Sequence, residues 1–378
     1  MTDKDYMLDV AAIALKCRGL GFPVKYIRTE PGPRVRTHYY RQQPGTSAPL
    51  SKVINRSEDI SLACGVDTCM ITRVKDEIAF AIPLIEPQLI KFDSALFFLS
   101  QSIQAKDMSI PLLMGQTPTG DWLVHDLANE PHLLIAGSTG GGKSVFLAEL
   151  IAALAVMKEP KDLAMYLVDT KKLDLPLFEP LTHVKEVITD IAQVHSLLDM
   201  QIAKVRERTQ KMQGIARNIR EWNSMQMSMT TNLQYQLIII DELADVMDQD
   251  RNTYGTGKQR DGLDTIESKL KTLTQISRAA GIHVIAATQR PSVKIISGDI
   301  KANFPMRISF KLPTAADSRV ILGESGAENL LGKGDYLYQT FENPDTRRAH
   351  GAFVKTEDIA RICIQHSDIR RSLEGMRI

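Results

Sequence analysis

Residues 130–156, EPHLLIAGSTGGGKSVFLAELIAALAV, contain the spacing GxxxxGK[ST] over residues 137–144. Glycines at 137, 140, 141 and 142 let the backbone turn successive N–H groups inward around a phosphate chain, and the start of a following helix adds its partial positive charge. In such a loop Lys143 reaches the β- and γ-phosphates of ATP, and the Ser144 hydroxyl ligates Mg²⁺. The candidate nucleotide contacts run from Gly137 through Ser138, Thr139, Gly140, Gly141, Gly142, Lys143 and Ser144 to Val145. A second chemical group, Asp241-Glu242, closes the apolar run QLIII. Asp241 is suited to hold Mg²⁺ through its water shell and Glu242 to orient and activate an attacking water; taken alone, the pair is equally a helix cap. Gln289 follows another apolar run and can sense the γ-phosphate or the attacking water, though its position also suits a turn residue.

These groups need a scaffold that brings strand ends together. Residues 132–136, 163–168, 236–240, 282–288 and 306–312 read as buried strands. Between them, Val145, Phe146, Leu147, Leu150, Ile151 and Leu154 give one helix a broad apolar face, and Ile191, Val194, Leu198, Ile202 and Val205 recur at helical spacing over residues 189–212. Alternating strands and helices predict an α/β fold, a largely parallel sheet with helices on both faces. Residues 213–235 read as a helix end and surface connection, with Met212, Met225, Met227 and Met229 as adaptable packing, and residues 248–262 as a flexible surface loop. A helix starts at Leu263, PTAADSRVILG is a cap and helix, YLYQ with RRAHGAFV is a terminal hairpin, and a last helix covers residues 356–366.

Ahead of this region the pattern changes. Residues 3–16 predict an amphipathic helix capped by Thr2, with Met7, Leu8, Ala11, Ala12 and Leu15 inward. Short extended runs between turn clusters fill residues 24–83, with MITRV and EIAFAIP joined at Lys75-Asp76, as in a small α+β domain. Arg34, Arg36, Arg41, Arg56 and Arg73 fit a solvated charged face. A helix over residues 92–105 and a turn at Pro111 lead onward, dividing the chain into 1–108 and 109–378.

Composition narrows the function classes. A chain of 378 residues, 43% hydrophobic and 24% charged, can bury a large core, and a formal charge of +1 requires any nucleic-acid binding to use a few positioned cations. Cys17, Cys64, Cys69 and Cys363 show no metal-ligand or disulfide spacing. No apolar run is long enough to span a membrane and the start MTDKDYM is acidic, so the expected location is cytoplasmic, without direct membrane insertion, unless a partner tethers the protein.

In order, AGSTGGGKS, VDTKKLDLPLFEPLTHVKEVITD, IIIDELADVM, SRAAGIHVIAATQRPSVKIISGDIKANFPMRISFKL, DSRVILGESGAENLLGKGDYLY and HGAFV resemble the motor region of the FtsK/SpoIIIE family of DNA translocases. GPRVRTHYY through EIAFAIP is similar to that family's small ring-forming domain. The resemblance implies a homo-hexameric ring of RecA-like domains that hydrolyses ATP with Mg²⁺ and pumps double-stranded DNA through its channel. It also implies that Arg278 reaches a neighbouring subunit's ATP site, and that Arg290, Lys301 and Arg319 touch backbone phosphates without reading bases. Two positions depart from the family: Ala315 stands where a lysine is usual, and a DPK triplet reads Asp169-Thr170-Lys171. The family's membrane helices and winged-helix DNA reader have no counterpart in these residues, so loading or tethering is expected to come from a partner. The alternative within the same architecture is an ATPase serving protein secretion.

Overall fold

The computed structural model describes residues 3–46, 48–225, 232–255 and 264–367. Two sheets organise them. The first is antiparallel, with β1 (Val24–Pro31), β2 (Val35–Gln42), β3 (Met70–Val74) and β4 (Glu77–Pro83) in the order β1-β2-β4-β3. Lys75, in left-handed backbone with φ of 57°, makes the tight turn between β3 and β4. The second sheet contains β5 (Pro111–Gln116), β6 (Trp122–Asp126), β7 (His132–Ala136), β8 (Leu163–Val168), β9 (Val184–Ile188), β10 (Tyr235–Ile240), β11 (Ile282–Thr288), β12 (Met306–Phe310), β13 (Asp335–Gln339) and β14 (Arg347–His350). Their order is β6-β5-β14-β13-β12-β7-β11-β10-β8-β9.

From β12 to β9 the second sheet is parallel, and β13, β14, β5 and β6 extend it antiparallel. β7, β8, β10 and β11 are buried along their whole length, which accounts for their nearly continuous apolar sequence. One face packs against helix Lys143–Met157, the other against helices Ile191–Met212, Leu243–Tyr254 and Ile266–Ile276. The strand order sets the ends of β7, β10 and β11 side by side, at the crevice where α/β sheets place ligands.

Three expectations are corrected. In helix Asp3–Gly19 the inward residues are Val10, Ile13 and Cys17, while Met7, Leu8, Ala11 and Leu15 face solvent. Polar chemistry sets that rotation: Asp9 is buried against Arg36, which donates to it through Nε at 2.8 Å, and Tyr40 donates to the Val10 carbonyl at 3.0 Å. Pro111 opens strand β5 rather than a turn. Of the expected loop 248–262, residues up to Tyr254 continue a helix, because buried Met247 and Asp250 face the core and Asp250 meets His195 Nε2 at 2.7 Å. Residues 256–262, like Thr2, Met227, Met229 and Leu263, lie outside the described residues.

Two buried histidines support the starts of β7 and β11. His132 Nε2 donates to the Thr274 carbonyl at 3.0 Å and Nδ1 accepts from the Val284 N–H at 3.1 Å, so the neutral ring is fully used and a second ring proton would meet an N–H. Burial, reinforced by His283 and Arg278, depresses its pKa to about 3 against the pull of the Thr274 bond. Burial likewise depresses His283 to about 4. Because the unfolded chain binds these protons near the ordinary value of 6.5, stability falls as pH drops from there towards 4. The expected loss is about 1 kcal/mol per histidine between pH 7 and 5.5. Urea midpoints at the two pH values measure it, and the difference should shrink in His283→Gln; an unchanged difference would dismiss this account.

A candidate nucleotide site at the strand ends

The loop between β7 and helix Lys143–Met157 is held by backbone on every side. Gly137 N donates to the Thr288 carbonyl at 3.2 Å, Ser138 N and Oγ donate to the Lys311 carbonyl at 3.0 and 2.8 Å, and Gly334 N donates to the Gly141 carbonyl at 3.0 Å. Gly142 has φ of 117°, and a Cβ there would lie 2.6 Å from Gly334 N, so both backbone angle and space require glycine. Ser138, Thr139, Gly140, Gly142, Lys143, Ser144 and Val145 line a cavity of about 370 Å³. Gly137 and Gly141, both expected among the nucleotide contacts, do not line it; they anchor the loop instead.

Lys143 and Asp241 are 3% and 6% exposed, and the ammonium donates to both the carboxylate and the main-chain carbonyl of Asp241, each at 2.7 Å. Glu242 is held rigidly. Its carboxylate accepts from Thr288 Oγ at 2.6 Å and from Gln289 N at 2.9 and 3.1 Å, which couples the end of β10 to the end of β11. The Gln289 side chain lines the cavity and accepts from Thr139 Oγ at 3.1 Å. Lys143, Asp241, Glu242 and Gln289 thus converge on the phosphate loop. Ser144 and Asp241 offer hard oxygen donors, the short protein set Mg²⁺ takes when phosphates complete its shell. Bound there with a nucleotide, the ion would neutralise phosphate charge.

Other candidates lie elsewhere. Arg278 precedes β11 at the opposite end of the sheet, where it donates to the Asn129 carbonyl at 3.2 Å and lies 5.6 Å from the Phe341 ring centre. Arg290 is exposed just beyond β11. Lys301 donates to the main-chain carbonyl of exposed Arg319 at 3.2 Å, tying helix Gly298–Asn303 to helix Ala315–Leu322. Burial and then Arg307 lower the Lys301 pKa. The Asp169 carboxylate accepts from five successive N–H groups, Lys171 to Leu175, and shapes its own turn, while Lys171 pairs with Asp245 at 2.9 Å.

The FtsK/SpoIIIE family model matches residues 97–293, more than half of the chain. The chain belongs to that family. "DNA translocase FtsK" of Borreliella burgdorferi is 36% identical over 335 residues, covering 85% of this chain and 40% of that protein. The same-named protein of Clostridium acetobutylicum is 34% identical over 374 residues, covering 96% of this chain and 46% of its own length. The chain spans less than half the length of these relatives. Among solved structures, the pCW3 conjugation coupling protein TcpA, in its monomer form with ATPγS, is similar at a TM-score of 0.63 and 22% identity, covering 94% of this chain and 99% of that one. The cytoplasmic domain of the type VII secretion ATPase EccC of Thermomonospora curvata gives 0.60 and 21%, covering 74% and 34%. The architecture is that of a P-loop ATPase.

Thr288 was not singled out from sequence, although a polar residue ending a buried strand beside the acidic pair was the available signal. Thr288→Val keeps the shape and removes the hydroxyl bond that orients Glu242. ATP turnover is expected to fall about tenfold, with KM changing less than about threefold, and Thr288→Ser to restore most of it. Steady-state kinetics on the three proteins would reject this role if Val turned over like the wild type.

Proposed function

We propose that the chain hydrolyses ATP with Mg²⁺ and uses the energy to move double-stranded DNA. What carries this reading is that Lys143 and Gln289 line the cavity at the phosphate loop, with Asp241 hydrogen-bonded to the first and Glu242 to the second. Lys143 leaves Asp241 for the β- and γ-phosphates when nucleotide arrives, and Glu242, already oriented by Thr288, draws the proton from the attacking water. The relatives' names as DNA translocases favour DNA as cargo. Protein is the alternative cargo, and the secretion ATPases share the fold alone.

In this reading residues 109–378 are the motor and residues 1–108 a ring-forming domain. Six copies form the ring, with Arg278 of one entering the ATP site of the next; its distance from its own phosphate loop supports service to a neighbour. Arg290, Lys301 and Arg319 track DNA backbone in the channel, and the near-neutral charge suits a motor whose few cations are multiplied by symmetry. The work is cytoplasmic, with a loading or membrane-tethering partner; among the described residues no helix is long and apolar enough to cross a membrane.

ATP turnover of the full chain with and without long double-stranded DNA tests the reading. Stimulation of severalfold is expected, fading between about 50 and 200 mM salt. The Arg290→Ala, Arg319→Ala double variant should flatten both the stimulation and its salt dependence, and Glu242→Gln should abolish turnover. Turnover indifferent to DNA would move the cargo assignment to protein.

A further inference from the structure

A second cavity, of about 450 Å³, lies at the opposite end of the parallel strands, where β10 and β11 begin. Arg217, Arg220 and Arg278 line it with the amides of Asn129, Asn218 and Gln275, and no carboxylate does. In a chain whose 46 lysines and arginines are matched by 45 acids, three arginines facing one cavity are a local excess of positive charge, suited to an anion. The three are not equally available. Arg220 Nη2 donates to Ser109 Oγ at 3.1 Å and pairs with Asp126, which also accepts from the Ser109, Ile110 and Ala128 N–H groups. Arg278 donates to the Asn129 carbonyl at 3.2 Å. The Arg217 side chain is 90% exposed, and its Nε reaches Glu221 at a long 3.3 Å. Exposed pairs of this kind contribute little and are readily exchanged for a better anion.

Arg217 and Arg278 nevertheless stand on one platform. Ile219 N donates to the Ala279 carbonyl at 2.9 Å, joining the start of helix Ile219–Ser224 to the turn ahead of β11. Gly281, with φ of 70°, lies so close to Ile219 that an added Cβ would sit 2.5 Å from Ile219 Cδ1. Buried Arg208 braces the same turn, donating to the carbonyls of Ala280 and Gln234 at 2.6 and 2.7 Å. Asn218 caps the helix by accepting from Glu221 N at 2.9 Å, and the Glu221 carboxylate accepts from Arg217 N at 2.9 Å. The backbones that carry the two arginines are therefore fixed to one another.

We propose that Arg217 is a second cation which the chain delivers, beside Arg278, to the ATP phosphates of a neighbouring copy. The inference rests on the proposed ring, which it deepens, and is independent of the DNA reading. A transferring phosphoryl group spreads its charge over three equatorial oxygens, and one guanidinium fork spans two of them. A second guanidinium on the same rigid mount adds positive charge at the third without reorganisation during transfer. The chain's own phosphate loop lies at the other end of the sheet, so each copy's site is incomplete without the next.

The test mixes two impaired variants of the full chain and measures Mg-ATP turnover without DNA. Arg217→Ala alone should lower kcat by about tenfold to a hundredfold, with ATP affinity within about threefold of wild type, because its own phosphate loop is intact. Its assembly, followed by sedimentation, should be unchanged, and Arg217→Lys should regain part of the rate. Glu242→Gln supplies both arginines and no hydrolysis of its own. Mixed in equal amounts, the two should exceed the sum of their separate rates, approaching about a quarter of wild-type turnover where neighbours assort at random. Arg278→Ala mixed with Glu242→Gln is the control and should recover likewise. Recovery with Arg278→Ala but not with Arg217→Ala would overturn this inference and leave the ring standing, whereas recovery in neither mixture would remove both. Loss of assembly in Arg217→Ala would give that residue to the subunit contact and overturn the inference as well.

Discussion

A short relay of backbone hydrogen bonds, Gly334 N to Gly141 O and Gly351 N to Gly334 O at 3.0 and 2.9 Å, holds the site together. It fixes the phosphate loop against the turn before β13, and that turn against the segment after β14. Beneath it Asp335 is fully buried, accepting from Arg348 Nε and Nη2 at 2.8 and 2.6 Å and from Leu331 N at 2.8 Å. Burial pushes this carboxyl up, but the Arg348 charge and its paired bonds, then His350, outweigh that and hold it below the ordinary range. The antiparallel strands are thus the rear wall of the phosphate loop. A side chain at Gly142 would break the relay at its first contact.

The acidic pair depends on a different constraint, the desolvation of Lys143 and Asp241 together. Removing either partner leaves a buried charge uncompensated, a cost of about 3–5 kcal/mol. In the proposed reading a triphosphate would resolve this by offering Lys143 a new anion and leaving Asp241 to a metal, so that nucleotide and cation would bind together. Glu242 needs no such exchange, because Thr288 and the Gln289 amide already hold its carboxylate.

The parallel strands, the phosphate loop and the acidic pair were legible in sequence because each is a local pattern: a buried run ending in a polar group. β9 and the pairing of β5 and β6 were not, since VKEVI and WLVHD are half-buried and carry no such pattern. The first helix was turned the wrong way because Met7, Leu8 and Leu15 recur at helical spacing as plausibly as the buried Val10, Ile13 and Cys17, and the rotation is set by Asp9 meeting Arg36 from another element. The far end of the phosphate-loop cavity was invisible for a related reason. Arg34, Leu89 and Phe353 are far apart in the chain, and the bonds from Phe353 N to the Ile90 carbonyl and from Arg34 to the Lys333 carbonyl bring their segments to one cavity.

β11 connects these observations. It is buried from Ile282 to Thr288, hydrogen-bonded on both sides by β7 and β10, and spans about 20 Å at the usual rise per residue. Arg278 stands before its first residue, while Thr288, Gln289 and Arg290 follow one another at its last. Thr288 orients Glu242, Gln289 faces the cavity, and Arg290 N donates to Thr288 Oγ at 3.1 Å. A change in what Gln289 and Glu242 hold therefore reaches Arg290 within two residues. In the proposed ring, a displacement of Arg278 by a neighbour's nucleotide would reach the far end through a strut with little freedom to bend, because its flanking strands must move with it. In that reading one strand would link a neighbour's nucleotide state, the carboxylate proposed to activate water and the first cation on the proposed DNA track.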